Sequence, residues 1–118
     1  MCYAFLCTQV NRQYWGDDMA GYANGYVAIP KNHPLYGASY DDVDIDIHGG
    51  LTFEGETDDF KKCIKRDNIE LLDGELPDGY WVFGFDTLHF MDTVATCSRE
   101  WCIAEAGRLK KQLEEWGN

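Results

Sequence analysis

Gly79-Tyr80-Trp81-Val82-Phe83-Gly84-Phe85-Asp86 is aromatic and apolar almost throughout, and its reading decides the fold. A short run of this kind, with no polar side to turn to solvent, predicts a central β-strand covered on both faces. Working outward, Cys2 to Val10 alternates loosely and suits a first strand, and Gly25-Tyr26-Val27-Ala28-Ile29 predicts another, stopped by Pro30. In Asp42-Val43-Asp44-Ile45-Asp46-Ile47-His48, Val43, Ile45 and Ile47 point one way while Asp42, Asp44, Asp46 and His48 point the other. That strict alternation predicts a half-buried strand, in the same sheet as Trp81–Phe85, with His48 on its polar side. Gly49-Gly50 permits a bulge before Leu51-Thr52-Phe53 resumes the strand.

Helices complete the pattern. Asp58-Asp59 caps a short helix running to Lys65, with acidic residues early and basic ones late. A long helix begins near Ser98 and repeats Trp101, Cys102, Ala106, Leu109, Leu113 and Trp116 at three- and four-residue steps, with Gly117-Asn118 as its stop. Residues 11–24, 31–40 and 68–79 read as loops, the last an acidic surface excursion. Strands first and a helix last give an α+β fold: one domain over residues 1–118, a largely antiparallel sheet, one short helix and a long C-terminal one.

Composition narrows the function. The 118 residues carry 10 basic against 21 acidic side chains, a formal charge of −11 that repels nucleic acid and anionic membranes. Such a field suits solubility, or electrostatic docking of a monomer onto a basic protein. No apolar run approaches the roughly 20 residues that cross a bilayer. The start, Met1-Cys2-Tyr3-Ala4-Phe5-Leu6-Cys7, does not read as a secretion signal, so a cytoplasmic, reducing setting is expected, with the five cysteines as thiols. Most free cysteines behave as small buried apolar residues.

The three histidines sit in Asn32-His33-Pro34, Ile47-His48-Gly49-Gly50 and Asp86-Thr87-Leu88-His89-Phe90-Met91-Asp92. Asp86-x-x-His89 places a carboxylate and an imidazole just past the buried strand, and His48 comes from a strand able to pair with it. A zinc-like ion is therefore expected on His48, Asp86 and His89, with Asp92, His33, a cysteine or water in the fourth place. Asp46 or Asp92 could instead orient an imidazole through its other nitrogen. The bland alternatives are a hydrogen-bonded polar cluster and unrelated surface histidines. No catalytic residue stands out: no phosphate-loop pattern is present, and nothing singles out a Cys–His pair. Tyr36, Tyr40, Tyr80, Trp81 and Phe83 could line a ring-stacking pocket or simply fill the core.

Residues 25–37, GYVAIPKNHPLYG, resemble the "GYVxxPxxHPxYG" opening of a small family found in phages, prophages and some bacteria. Residues 42–53 look like its "DDxDVxVHGGLTY" segment and residues 81–92 are similar to its "WWxGFDCAHxGD" segment. Residues 104–113 resemble its "ExxRLAxQL" tail. This chain departs in carrying Thr87 where the family has cysteine, which removes any thiol role there, and Phe90-Met91 where the family has small residues. The resemblance bears on the fold and the place of the site. A phage-borne origin implies an inhibitor of host defence: an acidic, metal-binding anti-CRISPR protein that binds a Cas9-type effector and blocks nucleic-acid loading. Its expected contacts are Asp42, Asp44, Asp46, Asp73 and Glu75, in the densest acidic stretches. The competing readings are a small metal-dependent hydrolase acting on a phosphoester or nucleotide, and a sponge for a nucleotide second messenger using Lys61, Lys62, Lys65 and Arg66.

Overall fold

The computed structural model describes residues 1–8, 20–63, 68–89 and 92–116. Its strands are β1 (Tyr3–Thr8), β2 (Ala23–Ile29), β3 (Phe53–Glu56), β4 (Ile69–Leu71) and β5 (Trp81–Phe85). They form one antiparallel sheet in the order β3-β5-β2-β1-β4, with helix α1 (Thr57–Cys63) between β3 and β4 and helix α2 (Arg99–Glu114) after β5. The α+β class read from the sequence is the fold observed.

As an inner strand, β5 pairs with β2 on one side and β3 on the other. Its alternation sends Phe83 and Phe85 to one face and Val82 to the opposite one, and all three are buried. The apolar run has no polar side because neither face meets water. The first face packs under α2 through Leu6, Val27, Ile29, Leu109 and Leu113. The second is aromatic: Phe60 of α1 meets the rings of Tyr26, Phe5 and Phe53 at 5.0, 5.2 and 5.6 Å. Two glycines make room between β2 and β5. Gly25 lies opposite Phe85 and Gly84 opposite Tyr26. A Cβ on Gly25 would stand 2.4 Å from the Phe85 ring, and one on Gly84 2.2 Å from the Tyr26 ring. Each ring covers the glycine across from it, so the pair trades a small residue for a large one on each face.

Helix α2 starts where the sequence placed it. The Ser98 side chain caps it by accepting the Trp101 N–H at 3.2 Å, and its buried stripe is Cys102, Glu105, Ala106, Leu109 and Leu113. Helix α1 begins at Thr57, whose buried hydroxyl accepts the Tyr80 N–H, while Asp58 accepts that of Gly79. Its last turn carries the basic Lys61 and Lys62; the expected continuation to Lys65, with Arg66, and the Gly117-Asn118 stop lie outside the described residues.

Three sequence expectations need correction. Asp42 to His48 forms no sheet strand: Asp42 ends a 3-10 turn over Tyr40–Asp42, residues 43–47 pair with no strand, and His48 enters a turn. Its alternation survives, with Val43 and Ile47 buried and Asp42, Asp44 and Asp46 exposed. What differs is the hydrogen-bond partner. The Gln112 side-chain amide accepts the Asp46 N–H at 3.0 Å and donates to the Asp46 carbonyl at 2.8 Å, as a peptide group of a neighbouring strand would. Arg108 adds a bond to the same carbonyl at 3.0 Å, and Glu105 accepts the His48 N–H at 2.9 Å. One face of α2 thus stands in for a strand and satisfies the backbone groups that a sheet would otherwise pair. Secondly, the 68–79 excursion contributes the edge strand β4 and buries Leu76. Thirdly, β2 begins at Ala23, inside the expected loop of residues 11–24.

Candidate metal centre

The loops at one end of the sheet bring His48, Asp86, His89, Asp92 and Cys97 together. His48 enters on a turn closed by the Gly50 N–H on the Ile47 carbonyl at 2.9 Å, with Gly49 at a left-handed φ of 68°. Gly49 is needed twice over. Its backbone conformation favours glycine, and a Cβ there would stand 2.3 Å from the His89 ring. Cys97 ends a tight turn in which its N–H donates to the Thr93 carbonyl at 2.7 Å, directly before the Ser98 cap. The same stretch is fastened to β2's approach by the Tyr22 N–H on the Cys97 carbonyl. Thr87 is fully buried and donates its hydroxyl to the Ala23 carbonyl at 2.8 Å.

Asp92 is the hub. Its side chain is 7% exposed, against 27% for His48 and 34% for His89. Its Oδ1 lies 3.0 Å from His48 Nε2 and 3.7 Å from Cys97 Sγ. Its Oδ2 receives the His89 N–H at 3.0 Å and faces His89 Nδ1 at 2.9 Å. Burial by itself would raise the Asp92 carboxyl, but the bonds from His48 and His89 outweigh it and hold the group below its ordinary value. The Cys97 thiol goes the other way: burial, reinforced by the Asp92 charge, pushes it up to about 11. A thiol so far from ionisation is no unaided nucleophile, which weakens the Cys–His reading.

One ring nitrogen of His48, one Asp92 oxygen and Cys97 Sγ all lie within 4.8 Å of one another, a group that could hold a metal ion. Around a tetrahedral ion with bonds of about 2.0–2.3 Å, neighbouring donor atoms stand roughly 3.3–3.6 Å apart. The Asp92–His48 and Asp92–Cys97 separations of 3.0 and 3.7 Å bracket that spacing.

Of the residues expected as ligands, this group contains His48 and Asp92. Asp92, expected in the fourth place, is bonded by both His48 and His89, and Cys97 is the cysteine that lies in the group. His89 and Asp86 form an outer tier: Asp86 Oδ1 is 3.4 Å from His89 Nε2 and accepts the Leu88 N–H at 3.1 Å. That arrangement fixes the ring of His89 while His89 fixes Asp92. His33 does not join. Its Nε2 donates to the Leu113 carbonyl at 2.7 Å and its Nδ1 accepts the Leu35 N–H at 3.0 Å, so it ties the loop after β2 to the far end of α2. Two contributors escaped the sequence reading. Trp101 meets the His48 ring edge-on at 4.9 Å. Glu105 is a carboxylate in the apolar stripe of α2, three residues after Cys102, and a charge at such a position was the available signal.

All five acidic residues expected to face a partner, Asp42, Asp44, Asp46, Asp73 and Glu75, are exposed. Asp46 is exposed but is bonded by Arg108 at 3.1 Å. Asp73 also holds the fold, accepting the Ala4 N–H at 2.7 Å and pairing with Lys110 at 3.1 Å. Lys61 is bound to Asp78 and to the Leu76 carbonyl. The described cysteines Cys2, Cys7, Cys97 and Cys102 are buried free thiols. Among the described residues no helix is long and apolar enough to cross a membrane.

No protein-family model, no curated protein and no solved structure matches this chain.

Proposed function

We propose that this protein works by binding: a zinc ion on His48, Asp92 and Cys97 braces the loop end of the fold, and the exposed carboxylates beside it dock on a basic protein. The observation that carries the metal half is Asp92 Oδ1, within reach of both His48 Nε2 and Cys97 Sγ while its companion oxygen is occupied by His89. Zinc takes such a mixture of imidazole, carboxylate and thiolate in tetrahedral geometry. When bound, it would hold Cys97 as thiolate and add its binding energy to folding. Elemental analysis of protein purified without a metal-affinity tag should give close to one equivalent of zinc. The equivalent should be lost in C97S and D92A and kept in H33A. Chelation that leaves the melting temperature unchanged would remove the bracing role.

Support for the partner half is the formal charge of −11 and the exposed Asp42 and Asp44 on the segment that leads into His48. Such a surface steers association with a basic partner and makes it salt-sensitive. The resemblance to the phage-borne family makes a Cas9-type effector the partner to test first, with the protein as an inhibitor of host defence that obstructs nucleic-acid loading. A plaque assay against strains carrying single defence systems should show protection confined to the CRISPR-bearing strain. Protection should weaken with D42N/D44N. Metal-dependent turnover of a phosphoester, lost in H48A, would assign a hydrolase instead. Intact release of a cyclic nucleotide on heating would assign a sponge.

A further inference from the structure

We propose that Glu105 is the positioning residue of this centre, holding His48 where it can meet the ion; the inference rests on the zinc reading above. Glu105 is 6% exposed and stands among Cys102, Ala106 and Leu109 on the stripe that α2 turns to the sheet. A carboxylate at such a position costs desolvation that only specific bonds offset. It makes two. Oε2 accepts the His48 N–H at 2.9 Å, and Oε1 accepts Arg108 Nη1 at 2.6 Å.

The first of these bonds does what the expected sheet pairing would have done for the ligand. His48 lies beyond the last residue bonded by Gln112 and at the start of the turn closed by Gly50. Its backbone is anchored by Glu105, while its ring is met edge-on by Trp101, one helical turn earlier on α2. The helix therefore grips the residue twice, at the main chain and at the imidazole. Both contacts fix the direction in which Nε2 points, toward the Asp92 oxygen that Cys97 Sγ also meets. Arg108 holds Glu105 from the other side and reaches on to the Asp46 carbonyl, so the same helix face sets both the ligand and the segment that delivers it. Groups that orient a ligand in this way govern how well the site is preformed.

The test is a cobalt titration of the full chain, since cobalt reports a thiolate-containing tetrahedral site through its visible and charge-transfer bands. In E105A and E105L, affinity should fall by about 10–100-fold and the band pattern should change. E105L fits the apolar stripe and serves if E105A does not fold. E105Q keeps an oxygen to accept the His48 N–H and should stay close to the unsubstituted protein. R108M leaves that acceptor in place while removing the Arg108 bonds to Glu105 and to Asp46, and should weaken binding less than E105A does. A purely structural Glu105 would lower the metal-free melting temperature without moving affinity or bands, and that result overturns the proposal. Equal weakening by R108M would overturn it as well, because the ion pair would then be the cause. If the unsubstituted protein binds no cobalt, the zinc reading falls and this inference with it. Normal binding by both E105L and the unsubstituted chain removes Glu105 alone.

Discussion

Val43–Ile47 and Trp81–Phe85 both carry the side-chain pattern of a strand, yet only the second is one. In β5 the backbone is paired by strands on both sides and the side chains are buried on both faces. In the 43–47 segment the same extended backbone lies against α2, and Gln112 and Arg108 supply its bonds from side chains. The alternation of apolar residues thus specifies which side of an extended chain is buried. It does not specify what takes up the backbone N–H and C=O groups, because any partner of the right shape can do so. The difference has a use. A strand locked in a sheet is held along its whole length, whereas a segment held at Asp46 and His48 presents Asp42 and Asp44 to solvent and ends at the His48 turn.

The comparison breaks most readily in the sheet. Phe83→Ala should cost about 3–5 kcal/mol, measured by chemical denaturation, since the fully buried ring packs where β2 and β5 meet α2. Ile47→Ala should cost about 2 kcal/mol, the low end for such truncations, because its segment is free to settle onto the helix. Equal losses would mean that the segment is as rigidly framed as the strand. Asp92→Ala should cost about 2–3 kcal/mol even without metal, as it removes the acceptor shared by His48 and His89. A loss below that of Gln112→Ala would demote the cluster to surface decoration.

Gln112→Ala sharpens the contrast more finely. It should cost about 1 kcal/mol and speed hydrogen exchange at the Asp46 amide while leaving the amides of β5 protected. Loss of protection in β5 as well would merge the two regions into one cooperative unit. The smallest effect concerns acid. The Gly79 N–H, aided by the Thr57 hydroxyl, holds the exposed Asp58 carboxyl below its ordinary value. A carboxyl depressed in the fold stabilises above its unfolded pKa, and that contribution fades as pH falls through the folded one. Asp58→Asn should therefore flatten the fall in melting temperature on the acid side of the unfolded aspartate value. An unchanged acid limb would mean that folding does not feel the Asp58 charge.

Some of this was written in the chain itself. The central strand was legible because Trp81 to Phe85 has no polar side, and α2 because its apolar residues keep helical steps behind a serine cap. The meeting of His48, His89 and Asp92 was legible as a possibility from the three motifs, since glycine and carboxylate neighbours mark a site more than a core. Which atoms meet was not. Asp92 rather than Asp86 became the hub because its N–H bonds the His89 carbonyl and its carboxylate accepts the His89 N–H in return. Cys97 meets Asp92 because the cap of α2 places it there, and His33 lies apart because the far end of α2 offers it the Leu113 carbonyl. Periodicity is a local property and fixes faces. Hydrogen-bond partners and ligand sets depend on residues far apart in sequence, such as Asp46 with Gln112 and His48 with Glu105. Only the packing of α2 on the sheet brings those together.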